Sequence, residues 1–248
     1  MNPVLLDTVP SVSPRLGFDR RFYLGASVAA IALVFWGFAQ SYYLKLFFGT
    51  PELSPRLHFH GAVMSSWLII FFVQAFLISS RRVAAHRRLG MVGLLVAVLV
   101  VILGTTTTFN AAAREVGLHS AEAEARVTVL GLEIVQMALF AGFVALAIAV
   151  RRRPDFHKRY MLLATACLLP SAFSRIPFNL TFMVSIFVSI LILTNLSVIA
   201  CIAADSYRYR RLHPAFGWGG LAFLASLNLA YVGAITSVWL KFGTRLVS

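Results

Sequence analysis

Two histidines follow short basic turns and open apolar segments of the chain, and imidazole is a ligand for transition metals. His86 lies in the sequence R-R-V-A-A-H-R-R-L-G, and His157 lies in R-R-R-P-D-F-H-K-R-Y. Two such rings on neighbouring helices can serve as axial ligands of a b-type heme, and an adjacent arginine can pair with a heme propionate. The pattern therefore predicts a candidate heme site at His86 and His157. The competing interpretation is that both histidines lie at head-group depth, in turns that only set the topology.

A second pair of candidate ligands combines a histidine with a thioether. Met64 follows His60 by four residues, a spacing that places both side chains on one face of a helix. Imidazole with thioether suits copper(I), and the same pair occurs in the axial positions of some hemes. His60 and Met64 are therefore candidate metal ligands. Methionine is also common in apolar helices, and coincidence is the favoured explanation of the spacing.

Glu133 is the clearest acidic group within an apolar segment, where an unpaired charge is costly. Its expected partner is Arg175, at the end of the segment that follows. One interpretation is structural: an intramembrane ion pair, or a protonated Glu133 that hydrogen-bonds to a neighbouring helix. The other interpretation is functional: a proton site, a cation site or a ligand-binding group.

A third basic turn, R-Y-R-R-L-H-P, precedes the last apolar segment. Asp205 and His213 flank this turn, and we expect a hydrogen bond or a salt bridge to fix it. Together with His86 and His157, these residues would form a ring of polar side chains on one side of a membrane.

The elements that must position these groups are membrane helices. Of the 248 residues, 59% are hydrophobic and 12% are charged, whereas soluble chains carry about 25% charged residues. A bilayer crossing takes about 20 apolar residues. We predict an all-α polytopic membrane helix bundle in a single domain, residues 22–248, preceded by a cytoplasmic tail at 1–21 without regular structure. The seven predicted transmembrane helices are 22–44, 57–80, 89–109, 126–150, 158–174, 178–203 and 216–240.

The distribution of basic residues predicts the orientation of the bundle. The net charge is +13, and fifteen of the 22 lysines and arginines fall in the N-terminal tail and in every second loop. This is the positive-inside bias, and it places the N-terminus in the cytoplasm and the C-terminus outside. The same distribution favours contact with the bilayer and its anionic lipid head groups over binding of nucleic acid.

Four short stretches resemble an uncharacterised family of bacterial multi-pass inner-membrane proteins. They read L-S-P-R-L-H-F-H-G from residue 53, H-R-R-L-G from 86, H-K-R-Y-M-L-L-A-T from 157 and R-R-L-H-P from 210. The resemblance extends over the second to seventh predicted helices. It implies a place in the bacterial cytoplasmic (inner) membrane, and it implies no established activity.

Two more distant resemblances concern redox chemistry. The H-R-R-L-G and H-K-R-Y-M segments are similar to small bacterial membrane proteins that mature heme-copper oxidases. The hairpin layout is similar to diheme b-type transmembrane cytochromes, and by that likeness His86 and His157 form the inner ligand pair. Glu133 departs from the pattern, because the outer partner of His60 would have to be a histidine. The resemblance thus implies one heme at most, and likeness of fold is a poor guide to function.

Three functions fit these observations. The first is a heme- or copper-associated protein, either a redox carrier or an assembly factor for respiratory oxidases, with heme b or copper as cofactor and a respiratory-chain or oligomeric partner. The second is a proton-coupled transporter of a small solute, with Glu133 as the coupling residue. The third is a non-enzymatic membrane scaffold or sensor whose basic turns bind lipid or a partner protein.

Overall fold

Every regular element in the described part of the chain is a helix. The computed structural model describes residues 14–119, 122–176 and 186–248. In chain order, the helices are α1 (Pro14–Phe38), α2 (Lys45–Phe48), α3 (Pro55–Ser79), α4 (Val83–Gly117), α5 (Ala123–Ala149), α6 (Pro154–Ala166), α7 (Pro170–Phe173), α8 (Ile186–Tyr209), α9 (Pro214–Ala234) and α10 (Ser237–Val247). A five-residue π-helical turn, Ala39–Tyr43, prolongs α1.

The described helices include six that are long and apolar enough to cross a membrane. Large apolar side chains cover their outward surfaces, and Trp218 and Met91 are 74% and 71% exposed. Surfaces of this kind are stable against lipid and prone to association in water. The chain is therefore a multi-pass, all-α membrane protein. The six segments are Asp19–Tyr43, Pro55–Ser79, Val83–Gly117, Ala123–Ala149, Ile186–Tyr209 and Pro214–Ala234.

Local signals in the sequence determine where helices begin. Ser54 caps α3, because its Oγ accepts a hydrogen bond from the backbone N–H of Leu57 at 3.4 Å. Pro55 follows at the first helical position, where the missing N–H costs nothing. His213 caps α9 in the same way, since its Nδ1 accepts from the N–H of Ala215 at 3.1 Å.

The bundle is built from antiparallel helices that pack largely in chain order. α3 packs on α4, α4 on α5 and α5 on α6, while α1 packs on α3 and α9 packs on α5. The core between them is apolar. At its centre the rings of Trp67 and Phe140 meet edge to face, with 4.9 Å between centroids, an arrangement that contributes about 0.5–1.5 kcal/mol beyond burial.

The basic turns gather at one end of the bundle, which we call the basic end. The first turns of α4 and α6 meet there through His86 and His157. The first turn of α6 also meets the start of α9 through Asp155 and His213. The opposite end holds the start of α3, the end of α4 and the start of α5.

The predicted N-terminal tail is wrong in part. α1 begins at Pro14, so residues 14–21 belong to the first helix, and residues 1–13 lie outside the described part of the chain. The predicted sixth helix, 178–203, is described from Ile186 onward as α8, and its first residues also lie outside the described ranges.

The predicted fifth helix, residues 158–174, is broken. α6 ends at Ala166 and α7 begins at Pro170, whose ring nitrogen has no N–H for the helical ladder. The broken segment still runs antiparallel to α5, because α6 starts beside the end of α5 and α7 lies across a cavity from the first half of α5. Neither piece is long enough to count among the six candidate crossings.

The last predicted helix, residues 216–240, is divided into two. α9 ends at Ala234, and α10 begins at Ser237. α10 folds back onto the start of α5, where Trp239 Nε1 donates a hydrogen bond to the carbonyl oxygen of Val127 at 2.8 Å. The sequence prediction merged two helices that point in different directions.

Candidate functional site

Two imidazole rings meet at the basic end of the bundle. His86 lies in the first turn of α4 and His157 in the first turn of α6. Their ring centroids are 6.3 Å apart, and the ring planes are at 86°. Since α4 and α6 both pack against α5, the rings approach each other across the end of α5. Both side chains are half-buried.

Each of these rings has a nitrogen that no hydrogen bond uses among the described residues. His157 Nδ1 lies 2.9 Å from the carbonyl oxygen of Ala147. A carbonyl oxygen only accepts, so Nδ1 carries the proton and Nε2 carries the lone pair. His86 Nδ1 is buried and has no hydrogen-bond partner in the described part of the chain. A ring held through one nitrogen by a backbone carbonyl, with the other nitrogen free, is the usual arrangement of a metal-ligating histidine.

A further unpaired polar atom lies close to His86. The amide oxygen of Gln74 on α3 is buried without a hydrogen-bond partner among the described residues, and the Gln74 backbone lies beside the His86 ring. The same amide faces α4 one turn after His86, because a Cβ on Gly90 would lie 3.7 Å from Gln74 Nε2. A buried polar atom without a partner costs about 1–3 kcal/mol, so two such atoms, on His86 and on the neighbouring Gln74, favour a place for a ligand at this end of the bundle.

At this site of the basic end, the side chains that could ligate a metal are the two imidazoles of His86 and His157. Within the described ranges, no three His, Cys, Asp or Glu side chains come together as a metal-binding group. A structural zinc site takes four protein ligands, so these residues do not make one. Two imidazoles do suit copper(I), or a heme iron whose remaining ligands come from the porphyrin.

Glu133 and Arg175 line one cavity near the opposite end, but the expected direct ion pair is wrong. No charged atoms of these two described residues lie within 4.0 Å of each other. The Glu133 carboxylate instead accepts a hydrogen bond from Thr108 Oγ1 on α4. Arg175 Nη1 donates to the backbone oxygen of Ser171 at 2.7 Å. Each charge is therefore bound by its nearest helix, and the cavity separates the two.

This cavity has a volume of 460 Å³ and lies between α5, α7, α8 and α9. Gln136 and Thr194 add polar groups to its lining, while Ile190, Leu191 and Leu227 form an apolar wall. Small-molecule sites in proteins have volumes of about 300–1,000 Å³ and a similar mixture of apolar walls and few polar groups. The cavity is therefore the right size and chemistry for a small ligand.

His60 and Met64 make the contacts of ordinary helix packing. His60 Nδ1 lies 3.3 Å from Thr107 Oγ1 on α4. The methyl group of Met64 packs against Gly104, together with the side chain of Met137. Both side chains thus have neighbours on other helices, and the metal site at His60 and Met64 stays a prediction.

Asp205 pairs with Arg159 rather than with His213. Arg159 Nη2 lies 2.7 Å from Asp205 Oδ1, and Arg159 Nε lies 3.0 Å from Oδ2. The planar guanidinium matches both carboxylate oxygens at once, which a histidine ring cannot do. By sequence, Arg159 is one of the fifteen basic residues assigned to the tail and to every second loop. The signal that could have identified it is its position one turn inside an apolar helix.

The basic end contains a second polar contact that joins α1 to the bundle. Lys158 Nζ lies 2.6 Å from Asp19 Oδ2, and the hydroxyl of Tyr209 donates to Asp19 Oδ1 at 2.6 Å. These bonds link α1, α6 and α8 around the buried pair. The cluster therefore contributes to the packing of these three helices at the basic end.

His213 forms its hydrogen bond with Asp155, at 3.2 Å between Nε2 and Oδ2. Burial acts to raise the pKa of Asp155, but the hydrogen bond from His213 and the backbone hydrogen bonds of Asp155 and Phe156 together lower that pKa below its usual value. Burial, here beside the Phe156 ring at 4.6 Å, lowers the pKa of His213. The raising effect of Asp155 on His213 is smaller, so neutral His213 is favoured in the folded protein.

Comparisons with protein-family models, curated proteins and solved structures find no match to this chain. The resemblances to uncharacterised inner-membrane proteins, oxidase maturation proteins and diheme cytochromes therefore stay predictions.

Proposed function

We propose that this chain binds a transition-metal centre, as heme iron or copper, between His86 and His157. The observation that carries the proposal is the pair of adjacent rings, which meet edge to face and each have a nitrogen that no hydrogen bond uses within the described residues. The nearby unpaired oxygen of Gln74 supports it, because a bound group would relieve part of the cost of burying these atoms.

The spacing of the rings agrees with ligation from two sides. Metal–imidazole bonds are about 2.0–2.1 Å long, so two rings that would hold one ion must have centroids within about 6–7 Å of each other. The observed separation is 6.3 Å. A bound heme or copper would supply one-electron redox chemistry. The part of the chain is to hold the His157 ring through the Ala147 carbonyl and the His86 ring beside Gln74.

The proposed setting is the bacterial cytoplasmic membrane, crossed seven times. The broken segment 158–174 is the seventh crossing, and it is supported by its antiparallel course along α5. The basic end faces the cytoplasm, with the N-terminus inside and the C-terminus outside. This orientation is supported by fifteen of the 22 basic residues. In this setting the centre serves electron transfer or respiratory-oxidase assembly, which the similarity of the H-R-R-L-G and H-K-R-Y-M segments favours.

A visible spectrum and a metal analysis of the purified protein test the proposal. We expect either a heme Soret band or bound copper, and we expect its loss in His86→Ala and in His157→Ala. His58→Ala is the matched control, because His58 is exposed at the opposite end of the bundle. A colourless, metal-free protein that also fails to bind added heme or copper(I) would falsify the proposal.

A second candidate function is proton-coupled transport of a small solute with Glu133 as the coupling residue. One observation favours it, the cavity that separates Glu133 from Arg175. Uptake into vesicles under a proton gradient tests this function. Glu133→Gln should abolish coupled uptake, and uptake that is unchanged in this variant removes the role of Glu133.

A further inference from the structure

The cavity beside Glu133 penetrates far into the bundle. From the N-cap of α5 its lining extends from Glu122 to Gln136, fifteen residues that span about 20 Å at 1.5 Å per residue. α8 lies on the other side, and it packs on α6, α7 and α9 rather than directly on α5. The space between α5 and α8 therefore exists because α8 packs against α6, α7 and α9 and not against α5.

Arg175 presents unused hydrogen-bond donors to this space. Its Nη1 bonds to the backbone oxygen of Ser171 and to Ser174 Oγ, at 2.7 and 3.2 Å. Its guanidinium lies 4.5 Å from the centre of the Phe38 ring. A guanidinium has five N–H donors, so the contacts within the described residues position the group and use only part of its donors. The side chain remains accessible from the cavity.

Glu133 presents unused acceptors to the same space. Thr108 Oγ1 donates to one of its carboxylate oxygens. A carboxylate has about four lone-pair positions, and the residue is only half-buried. The hydrogen bond from Thr108 therefore fixes the carboxylate without saturating it.

The remaining charges of the cavity neutralise each other at its mouth. Glu122 Oε2 and Arg126 Nη2 form a salt bridge of 3.6 Å, and both side chains are largely exposed. Apart from this pair, the charged groups of the described lining are one cation and one anion, Arg175 and Glu133, whose charged atoms lie more than 4.0 Å apart. Leu191 and Leu227 form part of the apolar lining.

We propose that this cavity binds a small zwitterion with an apolar substituent, of the amino-acid class. Its carboxylate pairs with Arg175, its ammonium group pairs with Glu133, and its substituent lies against Leu191 and Leu227. A ligand with one charge would pair with one of these two groups and leave the other group of the cavity without a counter-charge. A zwitterion satisfies both and matches the net neutrality of the interior. This inference supplies the substrate class for the second candidate function, but binding does not require that transport follows.

Thermal unfolding of the full chain in lipid nanodiscs tests the proposal. The unfolding midpoint is measured with each standard L-amino acid and with glycine betaine, added singly at millimolar concentration. The best ligand is then compared with two analogues, the acid that lacks its amino group and the amine that lacks its carboxyl group. We expect the zwitterion to raise the midpoint and to bind at least tenfold more tightly than either analogue.

Two charge variants and two matched controls locate the binding site. Arg175→Gln and Glu133→Gln should each weaken binding at least tenfold. Arg114→Gln and Glu124→Gln change the same residue types at exposed positions outside the cavity and should leave binding unchanged. If a charge variant does not fold, Leu191→Trp fills the cavity while it keeps both charges, and it should abolish binding.

Three results overturn the proposal: no shift with any zwitterion, an analogue that binds as tightly as the zwitterion, or binding that survives Leu191→Trp. The metal proposal is judged separately, since His86→Ala should lose the metal centre and keep zwitterion binding. If coupled uptake fails while zwitterion binding is intact, the transport function is refuted and the proposed ligand class is retained.

Discussion

Arg159 on α6 and Asp205 on α8 form a buried ion pair, with side chains that are 2% and 1% exposed. Nη2 of Arg159 lies 2.7 and 2.8 Å from the two carboxylate oxygens. Its Nη1 donates to the backbone oxygen of Asp155 at 2.7 Å. Both charges are therefore satisfied within the protein, and the pair joins two helices that do not follow each other in the chain.

Removing the acid from this pair should destabilise the protein strongly. Asp205→Asn leaves the Arg159 guanidinium buried without a counter-charge, and breaking a buried pair from one side costs about 3–5 kcal/mol. Chemical or thermal unfolding in nanodiscs measures the loss. Glu52→Gln, at an exposed acidic position, is the control. A loss below about 1 kcal/mol would show that water or lipid head groups reach Arg159 and replace the carboxylate.

Close contact between α1 and α7 makes a second prediction about stability. A Cβ on Gly37 would lie 2.5 Å from the backbone oxygen of Ala172, which cannot move as a side chain can. Gly37→Ala should therefore cost about 1–3 kcal/mol through overpacking. Gly25→Ala in the same helix meets nothing within 4 Å. It should be neutral or stabilising by up to about 1 kcal/mol. Equal effects of the two substitutions in unfolding experiments would contradict the close approach of α1 and α7.

The proximity of His86 and His157 follows from the sequence, because it depends on where along the chain two helices begin. His86 and His157 both stand just after basic turns, at the start of helices that run in the same direction. The positive-inside rule places such turns on one side, and a bundle brings them near each other. Their proximity was therefore predictable, and the structure confirms it with ring centroids 6.3 Å apart.

Other features depend on how helices rotate about their axes, which the sequence alone does not determine. Asp205 faces Arg159, a residue 46 positions away, and the hydropathy pattern gives no sign of this pairing. In the same way, Glu133 is bound by Thr108 and not by Arg175. Apolar residues cover most faces of a membrane helix, so periodicity does not show which face meets which neighbour.

The contact between Asp155 and His213 predicts a defined pH dependence. Folding lowers the pKa of both groups, so the folded protein binds fewer protons than the unfolded chain as the pH falls. Their stabilisation is present above the unfolded pKa values and is lost on acidification. The stabilisation contributed by His213 is lost first, as the pH drops below about 6.5. The stabilisation contributed by Asp155 is lost below about pH 3.9.

His213→Asn isolates the histidine contribution to that pH dependence. Asparagine retains the capping of α9, because its side-chain oxygen can accept from the N–H of Ala215, while its amide does not titrate. Unfolding midpoints should match the unaltered protein near pH 8, and they should fall less between about pH 6.5 and 5. Asp155→Asn should change the profile mainly below about pH 4. A parallel profile for His213→Asn would mean that His213 does not titrate with folding.

Substitution of Gln74 tests whether the basic end is a ligand site or a packing defect. Its unpaired amide oxygen is buried beside His86, so Gln74→Leu should leave the metal-free protein as stable or make it more stable. If the amide supports the metal centre, the same variant should lower heme or copper affinity about 10–100-fold, as the loss of outer-shell partners does elsewhere. Gln40→Leu, at an exposed position, controls for loss of an amide. A destabilised Gln74→Leu protein with unaltered metal affinity would show that the amide serves packing, and the support that Gln74 gives to the metal proposal would be lost.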